Sequence, residues 1–234
     1  RAQNRPHHGC SRNKRSLMPT STNLPKVIYL DAFGTLFGVK GSVGELYSNL
    51  ARTAQVVTDP HAVNRAFYQS FAASERLAFP KAAPAAVPEL EYRWWKVIVA
   101  ETFERVGALD KFNDFDTFYA GLYGYFETAA PWQVYPDTVT SLSRWQAMGI
   151  ELGIISNFDS RLYRVLSVLN LAAYFQSVTI STEVGAAKPP TKIYEVAFAK
   201  HSCPAHQAWH IGDSASEDYA GAQSVGMRAI LVTR

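Results

Sequence analysis

The chain has 234 residues, of which 47% are hydrophobic, so it is long enough for one large domain or for a core with an insertion. Lysine and arginine outnumber aspartate and glutamate by three, but five basic residues and no acidic one precede position 18: Arg1, Arg5, Arg12, Lys14 and Arg15. Without that short stretch the chain is slightly acidic, which argues against nucleic acid as a partner.

Residues 1–24 form a polar segment, rich in Arg, His, Ser, Asn and Pro, that we expect to be a disordered tail. Met18 is the expected native start, so that residues 1–17 would not be native. A transit peptide is the alternative, because such peptides are rich in Arg and Ser and poor in acidic residues. The two cysteines, Cys10 and Cys203, are too few for a disulfide framework and indicate a reducing, cytoplasmic compartment. The sequence contains no apolar run near the roughly 18 residues of a membrane span, so we expect no membrane partner.

The first predicted element is a strand at residues 27–30, where four apolar residues follow one another without alternation. Such a run is typical of a strand that is covered on both faces, as in a parallel sheet. Asp31 follows at the carboxyl end of the strand, which is where open α/β sheets bind ligands. Gly34 permits a sharp turn with free backbone N–H groups, and Thr35 adds a hydroxyl, so the segment can hold an oxyanion beside a carboxylate. The structural alternative is that Asp31 only caps a turn.

From residue 43 to about residue 128 the pattern is helical, and no convincing strand interrupts it. Apolar residues recur every four positions on one predicted face: Leu46, Leu50 and Ala54. Large aromatic residues at helical spacing are more typical of a hydrophobic core than of a substrate site, and we interpret Trp94 and Trp95 in this way. Residues 43–128 are therefore predicted to be an all-helical cap inserted after the first strand.

After Pro131 the pattern alternates between helices and strands. The predicted helices are 137–147, 161–169, 191–200 and 215–225. The predicted strands are 150–155, 177–181, 208–211 and 229–233. This alternation predicts an α/β fold with a Rossmann-like parallel sheet and right-handed crossovers. The core would consist of residues 25–42 and 129–234, with the first and fourth strands adjacent at its centre and Asp31 facing Asp213.

Polar residues follow four of the predicted strands. In strand order they are Asp31, then Ser156 with Asn157, then Lys188, then Asp213 with Asp218. Because the carboxyl ends of parallel strands meet at one edge of the sheet, we expect these residues to lie together. They would supply a carboxylate nucleophile, a hydroxyl and amides for phosphate oxygens, a cation for developing charge, and a second carboxylate for a hard divalent ion.

The four motifs are Asp-x-x-Gly-Thr at 31–35, Ser-Asn at 156–157, Lys-Pro at 188–189 and Gly-Asp-x-x-x-x-Asp at 212–218. With them the chain resembles the haloacid dehalogenase (HAD) superfamily over residues 27–234. Two further stretches, 131–134 and 157–162, and the tryptophan pair in the cap are similar to the group called haloacid dehalogenase-like hydrolase domain-containing protein 3. The resemblance implies a hydrolase, and most simply a phosphatase, that acts on a small phosphorylated substrate with Mg²⁺ as cofactor.

The resemblance also implies a role for each motif residue. Asp31 would attack phosphorus to form an aspartyl-phosphate, and Lys188 would be the second catalytic residue. The expected substrate-binding residues are Gly34, Thr35, Ser156 and Asn157. The expected metal ligands are Asp31, the Phe33 carbonyl, Asp213 and Asp218. For Asp218 the resemblance also implies a different role, in which it orients Lys188 or a metal-bound water.

Phe33 departs from the phosphatase pattern. Phosphatases of the superfamily carry a second aspartate at this position, which protonates the leaving oxygen and then activates water. A phenyl ring cannot transfer a proton, and general acid–base assistance is typically worth about 10²–10⁴-fold in rate. A phenylalanine here is therefore consistent with three possibilities. The substrates have good leaving groups, another residue supplies the assistance, or the protein binds or regulates and hydrolyses nothing.

Dehalogenation of 2-haloacids is the remaining alternative. True haloacid dehalogenases also have an aromatic residue at the position of Phe33, and Leu90-Glu91-Tyr92 is similar to a stretch of their cap. They work without metal and lack the first aspartate of the fourth motif, whereas Asp213 and Asp218 are both present here. Carboxylates beside Asp31 would repel one another unless a cation lay among them, so the sequence favours metal-dependent phosphoryl chemistry.

Overall fold

Seven strands are present in the computed structural model, which describes residues 24–234. They are β1 (Val27–Leu30), β2 (Phe37–Val39), β3 (Trp132–Val134), β4 (Glu151–Ser156), β5 (Ser177–Ile180), β6 (Ala208–Gly212) and β7 (Arg228–Leu231). Five of them form one sheet in the order β5-β4-β1-β6-β7, and every neighbouring pair is parallel. The predicted α/β fold is confirmed, as is the central pairing of the first and fourth core strands, β1 and β6. The predicted tail up to residue 23, with Met18 and Cys10, lies outside the described residues.

The short strands β2 and β3 pair antiparallel and form a second sheet. The sequence did not predict them, because each has three residues and is too short for an alternating pattern to show. Their pairing also joins segments that are far apart in the chain, since Phe37 pairs with Val134 and Val39 with Trp132. The two strands flank the helical insertion and bring Trp132 beside Phe33, with 6.1 Å between the ring centres.

Four α-helices lie between β2 and β3 among the described residues, and we call them the cap helices. They are α1 (Val43–Thr53), α2 (Pro60–Ala73), α3 (Val87–Arg105) and α4 (Phe115–Tyr125). Helix α1 begins with a capping box, in which Ser42 Oγ accepts from the Glu45 N–H at 3.1 Å and the Glu45 carboxylate accepts from the Ser42 N–H at 2.8 Å. A short 3₁₀ turn, Pro84–Ala86, precedes α3.

The remaining α-helices connect the strands of the central sheet. They are α5 (Thr138–Ala147), α6 (Arg161–Val168), α7 (Ser181–Val184), α8 (Lys192–His201) and α9 (Gly221–Ser224). The stretch Ala215–Ala220, predicted as the start of a regular helix, is a π-helix that leads into α9. Further 3₁₀ turns are Leu109–Lys111, Ala172–Tyr174 and Ala205–Gln207. Over residues 24–234, none of the helices combines the length and the apolar character that crossing a membrane requires.

Strand β1 is buried on both faces, which explains its unbroken apolar sequence. Ile28 and Leu30 belong to the apolar cluster on one side of the sheet, and Val27 and Tyr29 belong to the cluster on the other side. Side chains of a strand alternate between faces, so four consecutive apolar residues satisfy both clusters. Asp31, the next residue, therefore stands at the carboxyl edge of the sheet in its central position.

Polar contacts join the cap helix α3 to the loop that follows β4. Glu91 is fully buried and accepts hydrogen bonds from the Ser160 N–H at 2.9 Å and from the Ser160 hydroxyl. The Trp95 indole N–H donates to the Asp159 carboxylate at 2.6 Å. Trp94, expected in the core, is half-buried and packs against the apolar centre of the cap. Trp95 differs, because its ring also lines a cavity between the cap helices and the sheet.

Candidate active site

The carboxyl edge of the central sheet collects the polar residues that follow its strands. Asp31 follows β1, Ser156 ends β4 and is 2% exposed, and Asp213 follows β6. One carboxylate oxygen from each of Asp31, Asp213 and Asp218 lies within 4.8 Å of the other two. The predicted meeting of Asp31 and Asp213 is confirmed, and carboxylate oxygens gathered in this way are the kind of donors that hard divalent cations prefer.

Lys188 is the cation at the centre of the site. Its ammonium donates to Asp31 Oδ1 at 2.7 Å, to Asp218 Oδ1 at 2.5 Å and to the Ile155 carbonyl at 2.9 Å. The side chain is 1% exposed. Burial acts to lower the pKa of Lys188, but the two carboxylates outweigh it and hold the pKa above its ordinary value. The ammonium therefore stays charged at neutral pH.

Asn157 holds the backbone of Lys188. Its Oδ1 accepts from the Lys188 N–H at 2.7 Å, and its Nδ2 donates to the Lys188 carbonyl at 3.2 Å. The same amide donates to Glu217 Oε2 at 2.9 Å. The side chain that was expected to bind substrate is thus engaged in positioning the lysine, so donation from its amide to a substrate would have to replace one of these bonds.

Asp218 is surrounded by donors from the chain itself. Its Oδ1 accepts from Lys188 and from His210 Nε2 at 2.9 Å, and its Oδ2 accepts from the Ser214 N–H at 3.0 Å. Burial acts to raise the pKa of Asp218, but the His210 hydrogen bond and the Lys188 charge hold that pKa well below its usual range. Gly212 is required beside it, because a Cβ there would lie 2.2 Å from the Asp218 carboxyl carbon. His210 is fully buried, and its hydrogen bond to Asp218 gives it a structural role.

Opposing effects set the pKa of Asp31. Burial raises the pKa of Asp31 to about 6 against the opposing effect of Lys188, and repulsion from Asp218 and Asp213 adds to the rise. The pKa of Asp213 is also raised, by desolvation of its carboxyl group and by Asp218. A divalent cation among these oxygens would relieve the repulsion and favour the ionised forms. The donor set fits Mg²⁺, which prefers carboxylate oxygens.

Gly34 makes room for the carboxylates. Its φ is +84°, and a Cβ on it would lie 2.3 Å from Asp213 Oδ2. Its N–H, expected to be free for an oxyanion, instead donates to the Phe37 carbonyl at 2.9 Å. Thr35 is 1% exposed, and within the described part of the chain its hydroxyl makes no hydrogen bond of good geometry, although it lies near enough to the Asp213 carboxyl to act against the rise in that group's pKa. A bound phosphate oxygen would accept from this buried hydroxyl, so Thr35 is the stronger candidate of the two for substrate binding.

A cavity of about 190 Å³ lies between the cap helices and the edge of the sheet. Phe33, Trp132 and Asn157 form part of its wall on the sheet side, and Phe71 and Trp95 form part of its wall on the cap side. Most of the other lining residues are also aromatic or aliphatic. The carboxylates and Lys188 do not line the cavity themselves; its links to them are Phe33, which follows Asp31 by two residues, and Asn157, which binds the backbone of Lys188.

Arg161 carries the only charge among the described residues that line this cavity. Its Nε and Nη2 donate to the two oxygens of the buried Asp159 at 2.9 and 2.6 Å, and its guanidinium carbon lies 3.8 Å from the centre of the Tyr123 ring. The charge is therefore paired before any ligand enters. Sequence reasoning missed this pair and the Glu91–Ser160 contact. The sequence did contain a signal for the ion pair, because Asp159 and Arg161 carry opposite charges two positions apart, shortly after the Ser-Asn motif.

Comparison with known protein families shows which family this chain belongs to. Residues 25–226 match the family model described as haloacid dehalogenase-like hydrolase. The chain belongs to this hydrolase family. Haloacid dehalogenase-like hydrolase domain-containing protein 3 of Mus musculus is 32% identical over 207 residues, which cover 88% of this chain and 81% of that protein. The resemblance to that group in the motifs is therefore confirmed.

Two further proteins are similar to part or most of this chain. Glyceraldehyde 3-phosphate phosphatase of Methanothermobacter thermautotrophicus is 34% identical over 99 residues, which cover 42% of this chain and 44% of that protein. The crystal structure of the HAD-hydrolase YfnB from Bacillus subtilis, bound to magnesium, superposes with a TM-score of 0.65 at 14% identity and covers 89% of each chain. At that identity the structural match shows the HAD fold alone.

This haloacid dehalogenase-like hydrolase has no side-chain acid at position 33, where Phe33 packs edge-on against Trp132. Three tyrosines of the cavity are poor substitutes as proton donors. Burial raises the pKa of Tyr47, Tyr119 and Tyr123 above the ordinary value, so each gives up its proton less readily than a solvated phenol. The missing acid of the motif therefore has no evident replacement among these cavity side chains.

Proposed function

We propose that this protein is a Mg²⁺-dependent phosphoryl hydrolase that acts through an aspartyl-phosphate on a small phosphorylated substrate. The observation that carries the proposal is the ammonium of Lys188, which joins Asp31 to Asp218 while Asp213 lies alongside. A carboxylate nucleophile, a fixed cation and a further carboxylate for a metal ion are the groups that this chemistry requires.

Asp31 is the proposed nucleophile. Lys188 binds Asp31 Oδ1 at 2.7 Å, so we assign the attack on phosphorus to Oδ2. As the bond from Asp31 to phosphorus forms, the bond from phosphorus to the leaving oxygen breaks, and that oxygen departs with the electron pair. The Lys188 ammonium and the Thr35 hydroxyl would bind the phosphoryl oxygens, where negative charge is spread during transfer. Water then attacks phosphorus, which releases inorganic phosphate and restores the Asp31 carboxylate.

Asp31 and Asp213 would hold the Mg²⁺ ion, with the Phe33 carbonyl as a third ligand from the chain. When bound, the ion supplies charge neutralisation and orientation for the phosphoryl group. Asp218 was also expected to be a ligand, but both of its oxygens already accept hydrogen bonds from the chain. We therefore assign Asp218 the role of a positioning residue, which acts through Lys188.

The comparisons support this proposal in two respects. One partial relative is a glyceraldehyde 3-phosphate phosphatase, and a protein with the same fold, YfnB, was crystallised with magnesium. We also propose a reducing, cytoplasmic compartment, because a chain with only two cysteines has no disulfide framework.

Dehalogenation is the second candidate, and the apolar cavity beside Phe33 favours it. In that reaction Asp31 would attack the carbon that carries the halogen, and no metal would be needed. The cluster of Asp31, Asp213 and Asp218 weighs against it, because three carboxylates within 4.8 Å repel one another without serving that chemistry.

The test uses the purified full chain with acetyl phosphate or 2-chloropropionate, in the presence of Mg²⁺ or of EDTA. We expect phosphate release that requires Mg²⁺ and falls at least about 10³-fold in Asp31→Asn, which changes the nucleophile while keeping its size. Thermal melting of the variant confirms that it is folded. Chloride release that persists in EDTA would replace the phosphatase by a dehalogenase, and the absence of both activities would leave a binding protein.

A further inference from the structure

The cavity next to Phe33 offers a leaving group few polar partners apart from the hydroxyls of the tyrosines that line it. Phe71 and Trp95 present aromatic surface to it. The charge of Arg161 is bound by Asp159, and the amide of Asn157 is bound to the Lys188 backbone. A sugar or a nucleotide in this space would lose its hydration without gaining equivalent hydrogen bonds, which disfavours its binding. The walls therefore select an apolar leaving group.

Phe33 imposes a second and independent requirement on the leaving group. With no proton donor at position 33, the leaving oxygen has to depart as an anion. A phenol has about the acidity of a tyrosine side chain, with a pKa near 10, whereas an aliphatic alcohol is close to water, with a pKa near 16. An aryl oxygen is therefore a much better leaving group in this site than an alkyl oxygen.

We propose that the substrates are phosphate monoesters of small phenols, with the aromatic ring in the cavity and the phosphoryl group at Asp31. This inference rests on the phosphoryl hydrolase proposed above. The size agrees, because an engineered protein cavity of about 150 Å³ holds benzene. A cavity of about 190 Å³ has room for a phenyl ring with a small substituent. Trp95, Phe71 and Trp132 offer the edges and faces with which aromatic rings pair.

The reaction balances without an acid at position 33. In the first step the Asp31–phosphorus bond forms, the phosphorus–aryl oxygen bond breaks, and the phenolate leaves with the electron pair. The phenolate takes a proton from water. In the second step water attacks phosphorus, the Asp31–phosphorus bond breaks, and the proton of the water passes to the solvent. The net reaction converts one ester and one water into one phenol and one phosphate.

Four compounds separate the contribution of the ring from that of the leaving group. Phenyl phosphate has the ring and a weakly basic leaving oxygen, and benzyl phosphate has the ring and a strongly basic one. Acetyl phosphate has a good leaving group without the ring, and ethyl phosphate has neither. We expect the wild type with Mg²⁺ to hydrolyse phenyl and acetyl phosphate, and benzyl phosphate at least about 100-fold more slowly than phenyl phosphate. Benzyl phosphate should instead inhibit competitively, with a Ki roughly ten- to a hundredfold below that of ethyl phosphate.

Two opposite changes to the wall test where the ring binds. Val39→Phe fills part of the cavity, and Phe71→Ala removes part of its wall. Each should raise the Ki of benzyl phosphate about tenfold and bring it close to that of ethyl phosphate. Phe115→Ala is the matched control, because Phe115 is a half-buried phenylalanine of the same cap that does not line the cavity. It should keep the wild-type ratio of the two Ki values.

The two possible failures are distinguishable. If acetyl phosphate hydrolysis is absent, or is the same in the wild type and in Asp31→Asn, the phosphoryl hydrolase is refuted and the aryl ester proposal with it. If hydrolysis depends on Asp31 but benzyl and ethyl phosphate inhibit equally, the phosphatase stands and the aryl ester proposal is overturned. The same holds if Val39→Phe and Phe71→Ala, both folded, keep the wild-type ratio.

Discussion

Replacing Phe33 by aspartate should turn benzyl phosphate from an inhibitor into a substrate. Phe33 lines the cavity, is 39% exposed and follows Asp31 by two residues, so a carboxyl group there would face the side of the leaving oxygen. General acid assistance is worth about 10²–10⁴-fold. We expect kcat/KM for benzyl phosphate to rise at least about 100-fold in Phe33→Asp, and that for phenyl phosphate to change far less, because a phenolate leaves with little assistance.

The introduced carboxyl group also has to be protonated when the substrate binds. Asp31 and Asp213 would be its neighbours, and their negative charge would raise its pKa. The gain in rate should therefore be largest at mildly acidic pH and should decline as the pH rises above the pKa of the new group. Phosphate release from benzyl and phenyl phosphate, measured with saturating Mg²⁺ between about pH 5 and pH 8, provides both profiles.

Phe33→Asn is the matched control, since asparagine has nearly the size of aspartate but no proton of this kind to give. Both variants remove the ring and enlarge the cavity to a similar extent. Equal hydrolysis of benzyl phosphate by the two variants would refute the explanation that Phe33 limits the reaction by denying it an acid. The gain would then come from steric relaxation alone.

Lys188→Met should abolish Asp31-dependent hydrolysis. Because it leaves buried carboxylates without their cation, it should also lower the free energy of unfolding, measured by urea titration, by roughly 3–5 kcal/mol. Unchanged stability would contradict the buried ion pairs. Mg²⁺ should raise the Tm of the wild type and raise that of Asp213→Ala much less, whereas equal shifts would remove Asp213 from the metal site. Burial raises the pKa of Glu91, so the folded state holds this proton more tightly than the unfolded state does. The stability that protonated Glu91 contributes is then fully present when the pH is below its pKa in the unfolded state. It is lost as the pH rises through its pKa in the folded state. The Tm of Glu91→Gln relative to the wild type should therefore increase between about pH 4 and pH 7. A constant difference would show that the pKa of Glu91 does not differ between the two states.

The architecture could be predicted because its signals are local. The buried run of β1 occupies a few consecutive residues, and so does each helix or strand after Pro131. Parallel pairing with right-handed crossovers then leaves few ways to assemble these elements. The meeting of Asp31 with Asp213 follows from that topology, since each residue directly follows one of two neighbouring strands. The sequence therefore indicated the carboxylate cluster without any knowledge of side-chain geometry.

The roles within the site could not be predicted in the same way. Whether Asp218 faces a metal or Lys188 depends on hydrogen bonds from His210 and Ser214, and nothing in the spacing of these residues reveals them. The N–H of Gly34 is engaged because a tight turn returns it to a short strand that carries no pattern of its own. Such features arise from contacts between separate segments, and a pattern in one segment does not record them.

The loop after β4 connects the cap to Lys188. Asn157 binds the backbone of Lys188, and a few residues later Asp159 binds Trp95 while Ser160 binds Glu91 in α3. Because the same short loop carries both sets of bonds, a displacement of α3 from the sheet would pull on the backbone that positions the lysine. Trp95 is also a wall of the cavity. A ring that packs against Trp95 would favour the observed contacts between α3 and this loop, so binding of the leaving group and positioning of Lys188 against Asp31 would reinforce each other.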